Sequence, residues 1–181
     1  MLFDSHTHLD DRKFDDDRAL VIEKIKASGV SKLVNIGCDI STCKNSIKLA
    51  EEYDFIYATV GFHPCDTGEM KEEHIEILRQ FAMHKKVVAI GEIGLDYYWD
   101  SVPRDVQRYW FERQMKLAEE LDMPVTIHNR DAHEDTFNIC KNSGAKGIVH
   151  CFSGSKEMAV EFVKLGYYVS FAGPLTYKNN V

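Results

Sequence analysis

The stretch VVAIGEIGLDYYWDSVPRDVQRYWFERQMKLAEELDMPVTI, residues 87–127, contains one complete strand–helix–strand unit. Its short apolar runs, Val87–Ile90 and Val125–Ile127, are typical of buried strands. Between them, Arg104–Leu121 has the length and amphipathic pattern of a helix, and Pro124 follows its end. Two strands connected through a helix pair in parallel with a right-handed crossover. This unit therefore predicts a parallel α/β sheet.

Similar units repeat along the whole chain. The other apolar runs predict strands at Leu2–Phe3, Lys32–Ile36, Ile56–Val60, Gly147–Val149 and Tyr167–Phe171. The other helices are predicted at Ala19–Ala27 after Asp16, Cys43–Tyr53 after Ser41, Lys71–His84, Asp131–Asn142 and Ser155–Leu165. Seven strands alternating with helices fit either an open doubly wound sheet or a closed barrel, and periodicity does not choose between them.

The length of the chain sets a further expectation. At 181 residues it fits a single domain, 1–181,. A TIM (β/α) barrel takes about 250 residues and rarely fewer than about 200. If the fold is a barrel, we expect about seven of its eight strand–helix units here, with the last strand and helix lacking.

Composition narrows the class of protein. Hydrophobic residues make up 44% and charged residues 28% of the chain, which is typical of a globular protein and excludes a disordered or fibrous one,. The net charge of −7 argues against broad binding to duplex nucleic acid, so a nucleic-acid substrate would be held by metal ions and a few Arg or Lys,. Five cysteines without CxxC spacing, and no leader-like or membrane-length apolar run, predict reduced thiols, a cytoplasmic location and no membrane partner,.

Metal-ligating side chains follow several of the predicted strands. His6 and His8 end the first strand, and residues two apart on a strand project from the same face,. Glu92, His128 and His150 each come at the end of a later apolar run. A single histidine in such a place is usually structural, but four histidines and one glutamate in equivalent positions fit that explanation poorly. Because barrel enzymes place their active sites at this edge, the pattern predicts a metal centre.

The residue types indicate the chemistry of that centre. Neutral imidazole and carboxylate are ligands for divalent ions such as Mg, Mn or Zn, and a carboxylate can bridge two of them. Glu92 is therefore the candidate bridge between two divalent metal ions. Two such ions, about 3.5 to 4 Å apart, activate a water and stabilise both oxygens of an in-line phosphoryl displacement.

Three neighbours of these ligands are candidate substrate contacts. Arg130 carries a planar fork suited to a phosphate, although a solvated surface arginine explains it equally well. His63, after the third strand, could contact substrate or support a ligand. The cluster Tyr97-Tyr98-Trp99 could stack on bases of a single strand, with Tyr97 as the better candidate.

Two further residues receive a structural interpretation. Asp96 is expected to hold the loop after Glu92 or to orient a ligating histidine, since such imidazoles usually donate their second N–H to an acceptor. Cys151 adjoins His150, but strand alternation predicts that its side chain lies on the opposite face.

Five motifs, in order, resemble the signatures of the TatD deoxyribonucleases, a family of amidohydrolase-like metal-dependent barrels. They are Asp4-Ser5-His6-Thr7-His8, Gly61-Phe62-His63-Pro64, Gly91-Glu92-Ile93-Gly94-Leu95-Asp96-Tyr97, Pro124-Val125-Thr126-Ile127-His128-Asn129-Arg130 and His150-Cys151-Phe152-Ser153-Gly154. The resemblance implies His6 and His8 on one ion, His128 and His150 on the other, and Glu92 between them. Glu92, His128 and His150 are then the catalytic residues. The implied activity is metal-dependent hydrolysis of DNA, often from the 3' end of a single strand.

The same resemblance implies one residue that this sequence does not match. The family has a further Asp, in a Glu-Thr-Asp-Ala-Pro-like motif on the eighth strand, which ligates a metal and acts as general base. Two alternatives therefore stay open: hydrolysis of an amide, lactone or phosphotriester, or a catalytically silent metal-binding module. A glutamate rather than a lysine at position 92, together with Arg130, favours the nuclease. The sequence leaves the oligomeric state open.

Overall fold

The computed structural model of the chain describes residues 2–99 and 101–178. Within them, seven parallel strands form one sheet. The strands are β1 Leu2–Thr7, β2 Val30–Asn35, β3 Ile56–Val60, β4 Val87–Asp96, β5 Val125–Arg130, β6 Gly147–Val149 and β7 Tyr168–Val169. The helices are α1 Arg18–Ala27, α2 Ile40–Glu52, α3 Glu72–Ala82, α4 Arg104–Glu120, α5 His133–Asn142 and α6 Lys156–Lys164. Short 3-10 turns lie at Arg12–Phe14, Pro64–Glu69 and Gly173–Thr176.

The order of the strands identifies the architecture. Each strand pairs with the next one in sequence, from β1 to β7, and every pair is parallel. In a doubly wound sheet the order of the strands reverses at a switch point. The described part of this sheet has no such reversal. The fold is therefore the wall of a TIM barrel with seven strands, as expected from the sequence. Its outer strands, β1 and β7, face each other across an open side.

Glycine explains why β4 is longer than predicted. The apolar run ends at Ile90, but the strand continues to Asp96, so Glu92 lies within the strand rather than after it. Gly94 has a φ of +140°, and a Cβ placed there would come within 2.0 Å of the carbonyl oxygen of His128. Only glycine allows β4 and β5 to approach this closely. The register between them shifts between Ile90 and Ile93.

Helix starts partly follow the sequence signals. α6 begins at Lys156, one residue later than predicted, and Ser155 caps it by accepting a hydrogen bond from the Met158 N–H. The cap of α2 is Asp39 rather than Ser41, because the side chains of Asp39 and Thr42 each accept from the other's backbone N–H,. α5 begins at His133, later than predicted, since Asp131 has a φ of +56° that is incompatible with a helix,.

A single hydrophobic cluster runs between the sheet and the helices, from Leu9 to Tyr167. Phe162 of α6 is fully buried and packs edge-on against Phe137 and Tyr167. This packing fixes α5 and α6 against the sheet, so the side chains at the ends of the strands are held in place. No helix in the described ranges has the length and apolarity needed to cross a bilayer.

Candidate metal centre

The predicted ligands meet at the carboxyl ends of the strands. His6 lies on β1, Glu92 on β4 and His128 on β5, while His8 and His150 directly follow β1 and β6. All five line one pocket of about 490 Å³. The imidazole rings of His6 and His150 stack with their centroids 3.3 Å apart, so the sheet curls far enough to bring β1 and β6 together.

Glu92 lies at the middle of the cluster and is only 4% exposed. Its Oε2 is 3.4 Å from Nε2 of His6 and 3.7 Å from Nε2 of His8, while its Oε1 is 3.0 Å from Nδ1 of His128. Burial raises the pKa of Glu92, but hydrogen bonds with His128 and His6 outweigh it and hold the pKa well below its usual range. The carboxylate is therefore a buried anion that needs positive charge close by.

The surrounding imidazoles fit a divalent ion as the source of that charge. Nε2 of His6 and Nε2 of His8 lie 3.1 Å apart beside the carboxylate. Nδ1 of His6 and Nδ1 of His150 are buried with no hydrogen-bond partner within the described residues. The ligand atoms of His6, His8 and Glu92 all lie within 4.8 Å of one another, and the same is true of His63, Glu92 and His128. Imidazole nitrogens around a carboxylate form a typical donor set for Zn or Mn.

His128 is held between two carboxylates. Its Nδ1 faces Glu92, and its Nε2 lies 2.9 Å from Oδ2 of Asp96. Burial lowers the pKa of His128, but the hydrogen bonds and charges of Glu92 and Asp96 outweigh it, so the pKa is raised overall. Asp96 also accepts the backbone N–H groups of Tyr98 and Trp99, each at 3.0 Å. Asp96 thus makes both contacts expected of it, to the following loop and to a histidine of the centre.

Comparison with known proteins identifies the family. The model of the TatD related DNase family matches residues 3–181. The chain belongs to this family. It is 48% identical over 182 residues to the uncharacterized metal-dependent hydrolase YabD of Bacillus subtilis, covering 99% of this chain and 71% of the relative. It is 34% identical over 176 residues to the 3'-5' ssDNA/RNA exonuclease TatD of Pantoea ananatis, covering 95% of this chain and 68% of the relative.

A solved structure agrees with this assignment. The crystal structure of YjjV, a TatD homolog from Escherichia coli, superposes with a TM-score of 0.91 at 33% identity, covering 97% of this chain and 70% of that one. The molecule is therefore a metal-dependent hydrolase of the TatD family with a TIM-barrel fold.

In this TatD-family centre, His128 and His150, which were predicted to share the second ion, contact different partners. His150 stacks on His6, whereas His128 groups with Glu92 and His63. β6 ends at Val149, but the backbone N–H of His150 still donates to the carbonyl oxygen of Ile127 in β5, at 2.8 Å. Burial, followed by the charge on His6, lowers the pKa of His150 to about 3.

His63 enters the TatD-family pocket as predicted. Its ring meets that of His128 edge-on, with 4.3 Å between centroids, and its Nδ1 accepts the backbone N–H of Cys65. Burial, followed by the charge on His128, lowers the pKa of His63 to about 4. The neutral ring therefore carries its proton on Nε2, which can donate a hydrogen bond into the pocket.

Arg130 also lines the pocket, but Tyr97 does not. The hydroxyl of Tyr97 donates to Asp135 and accepts from Arg108, while the guanidinium of Arg104 covers its ring at 4.3 Å. These contacts tie Tyr97 to α4 and α5. The expectation that Tyr97 is the substrate-facing aromatic therefore does not match its surroundings.

Two cysteines at the centre differ from the sequence prediction. Cys151 was expected on the face opposite His150, yet it lines the same pocket, because its φ of +46° ends the strand alternation. Cys38 was not foreseen at all, and its Sγ lies 4.0 Å from Oε2 of Glu92. Burial, followed by the charge on Glu92, raises the pKa of the Cys38 thiol well above its usual range. The spacing of Cys38 in the sequence carries no signal for this contact.

Proposed function

We propose that this TatD-family hydrolase is a deoxyribonuclease that removes nucleotides from the 3' end of single-stranded DNA. The observation that carries the proposal is the convergence of His6, His8 and His128 on the buried carboxylate of Glu92, in a pocket that His150 and Arg130 also line. The relative from Pantoea ananatis is named a 3'-5' ssDNA/RNA exonuclease, which supports this substrate class. We assign the activity to one domain that spans residues 1–181.

The proposed ligand sets follow the family resemblance and the geometry. His6, His8 and Glu92 would hold one divalent ion, and Glu92, His128 and His150 a second, with Mg, Mn or Zn as candidates. Ions bound there would supply the Lewis acidity that activates water and offsets the negative charge growing on the phosphate.

The chain's own residues orient the substrate. Arg130 offers two parallel N–H donors to a non-bridging phosphate oxygen pair. The neutral His63 would donate from Nε2 to the same phosphate, on the side where its ring meets His128. Glu92 remains ionised and fixes the spacing of the imidazoles around it. His128 must release its proton before its Nδ1 can serve as a ligand, and Asp96 holds the ring in place while it does so.

Cleavage of single-stranded DNA by the 181-residue chain, with Mg or Mn against chelator, tests the proposal. A 5'-labelled strand should shorten stepwise, and a 3'-labelled strand should release its label as a mononucleotide at once. Glu92→Ala should bind neither metal ion tightly and should lose cleavage, while Glu73→Ala, an exposed glutamate of α3, should match the wild type.

Native mass spectrometry of the same samples gives the metal content independently of turnover. Retained metal-dependent cleavage by Glu92→Ala would refute the mechanism. Metal binding by the wild type without cleavage of any strand would favour the silent metal-binding module instead.

A further inference from the structure

A surface group at the mouth of the pocket stands out, which we call the aromatic rim: Tyr98, Trp99 and Arg130. Tyr98 is 54% and Trp99 is 63% exposed, and both follow directly on β4, while Arg130 ends β5. The guanidinium carbon of Arg130 lies 3.9 Å from the centroid of the Tyr98 ring and 5.5 Å from that of Trp99. The rim is thus a compact unit whose arginine also lines the metal pocket.

The rim is held rigidly against the metal centre. Oδ1 of Asp96 accepts the backbone N–H groups of both Tyr98 and Trp99, and Oδ2 of the same carboxylate bonds His128. The rings of Tyr98 and Trp99 meet edge-on at 87°, with 5.0 Å between centroids. A ligand resting on the rim would therefore stand at a fixed distance from the pocket without reordering the loop.

Trp99 and Arg130 each leave a different kind of surface open to a ligand. The ring of Tyr98 is covered on one side by Arg130, which leaves the more exposed Trp99 as the aromatic platform. Ion pairs in the described part of the chain involve Arg18, Arg79, Arg108 and Arg113, but not Arg130. A flat aromatic face beside an available guanidinium matches a nucleobase next to its phosphate.

We propose that the aromatic rim binds an unpaired nucleotide of single-stranded DNA, with its base stacked on Trp99 and its phosphate held by Arg130. This deepens the proposed nuclease function and rests on it. Bases in a duplex are already stacked on each other, so their faces are not available to Trp99. The rim would thereby select single strands, although the chain carries a net charge of −7.

Tryptophan fluorescence gives a direct test, because the chain has two tryptophans with opposite exposure. Trp99 is 63% exposed, and Trp110 of α4 is only 7% exposed. In chelator, so that no strand is cut, a five-nucleotide oligothymidylate should quench the fluorescence of the wild type. An abasic five-mer with the same phosphates, and a blunt duplex, should leave it unchanged. Trp99→Phe should remove the quenching but keep the affinity, measured with a dye-labelled oligothymidylate.

Trp99→Ala should weaken binding of the oligothymidylate by about tenfold, which lies within the range measured for loss of one stacked base. It should leave binding of the abasic five-mer unchanged. Tyr168→Ala removes an aromatic of β7 that is 75% exposed and lies outside the pocket lining, and should behave as the wild type in both. Equal affinity of Trp99→Ala and wild type for oligothymidylate, or equal quenching by the abasic strand, would overturn the proposal.

Cleavage measured on the same variants separates this proposal from the nuclease itself. If the wild type cuts single-stranded DNA and Trp99→Ala keeps the same kcat/KM, the nuclease stands and the stacking role falls. If oligothymidylate quenches the fluorescence of Trp99 but the protein cuts no strand, the rim is a nucleobase site and the nuclease proposal is refuted.

Discussion

Asp96→Asn should weaken metal binding without unfolding the protein. Oδ1 of Asp96 accepts two backbone N–H groups, from Tyr98 and Trp99, so the amide oxygen of an asparagine must stay on that side. Its NH2 group then replaces the oxygen that faces Nε2 of His128, at the present distance of 2.9 Å. Because two donors cannot face each other, His128 would move its proton to Nδ1. That nitrogen faces Glu92 and is the one available to a metal ion.

The size of the effect follows from comparable metal sites. Loss of a partner that orients a ligating histidine usually costs 10- to 100-fold in metal affinity, or about 1.4 to 2.7 kcal/mol. Calorimetric titration of Zn or Mn into the metal-free protein measures this loss directly. Asp135→Asn makes the same chemical change at a carboxylate that bonds Tyr97 and Arg108, and should keep the wild-type affinity. An affinity of Asp96→Asn within twofold of the wild type, with an unchanged melting temperature, would refute the reasoning.

Two further predictions concern pH and packing. The pKa of His128 is raised above 6.5, so below that pKa the ion held by Glu92, His128 and His150 must displace the His128 proton, and its affinity should fall about tenfold per unit of decreasing pH,. Calorimetry in buffers of different ionisation enthalpy would show that one proton is released when this ion binds, and an affinity independent of pH between 5 and 7 would contradict the prediction. Phe162→Ala should lower the free energy of unfolding by about 3 to 5 kcal/mol, because the side chain is fully buried among other rings,. Urea denaturation would measure the change, and the exposed Val163→Ala in the same helix should shift it little.

The sequence predicted the parts of the molecule that depend on local pattern. Alternating strands and helices, and ligands at the strand ends, all follow from spacing and residue type. Periodicity did not choose a barrel wall over a doubly wound sheet, because that choice depends on the order in which strands pair; the five family motifs implied the barrel. That order is a property of the whole chain.

The failures of prediction at the end of β4 have a common physical cause. Gly91 and Gly94 look like a break after Ile90, yet Gly94 allows β4 to lie against β5 at a distance that a side chain would prevent. The strand therefore continues to Asp96, after a register shift against β5 between Ile90 and Ile93. Tyr97 consequently packs against Asp135 and Arg104, while the neighbouring Tyr98 and Trp99 remain at the mouth.

The stacking of His6 on His150 has a consequence for the kinetics of folding. Nearly the whole chain separates these two rings, so their contact forms only after the intervening strand–helix units have assembled. Contacts of such high sequence separation are costly to form early, because the loop that they close is long. The proposed pair of ions takes its ligands from β1, β4, β5 and the end of β6, so the pair cannot be fully ligated in the transition state for folding if this contact is still open. We therefore expect bound metal to leave the folding rate unchanged and to lengthen the lifetime of the native state by slowing its unfolding.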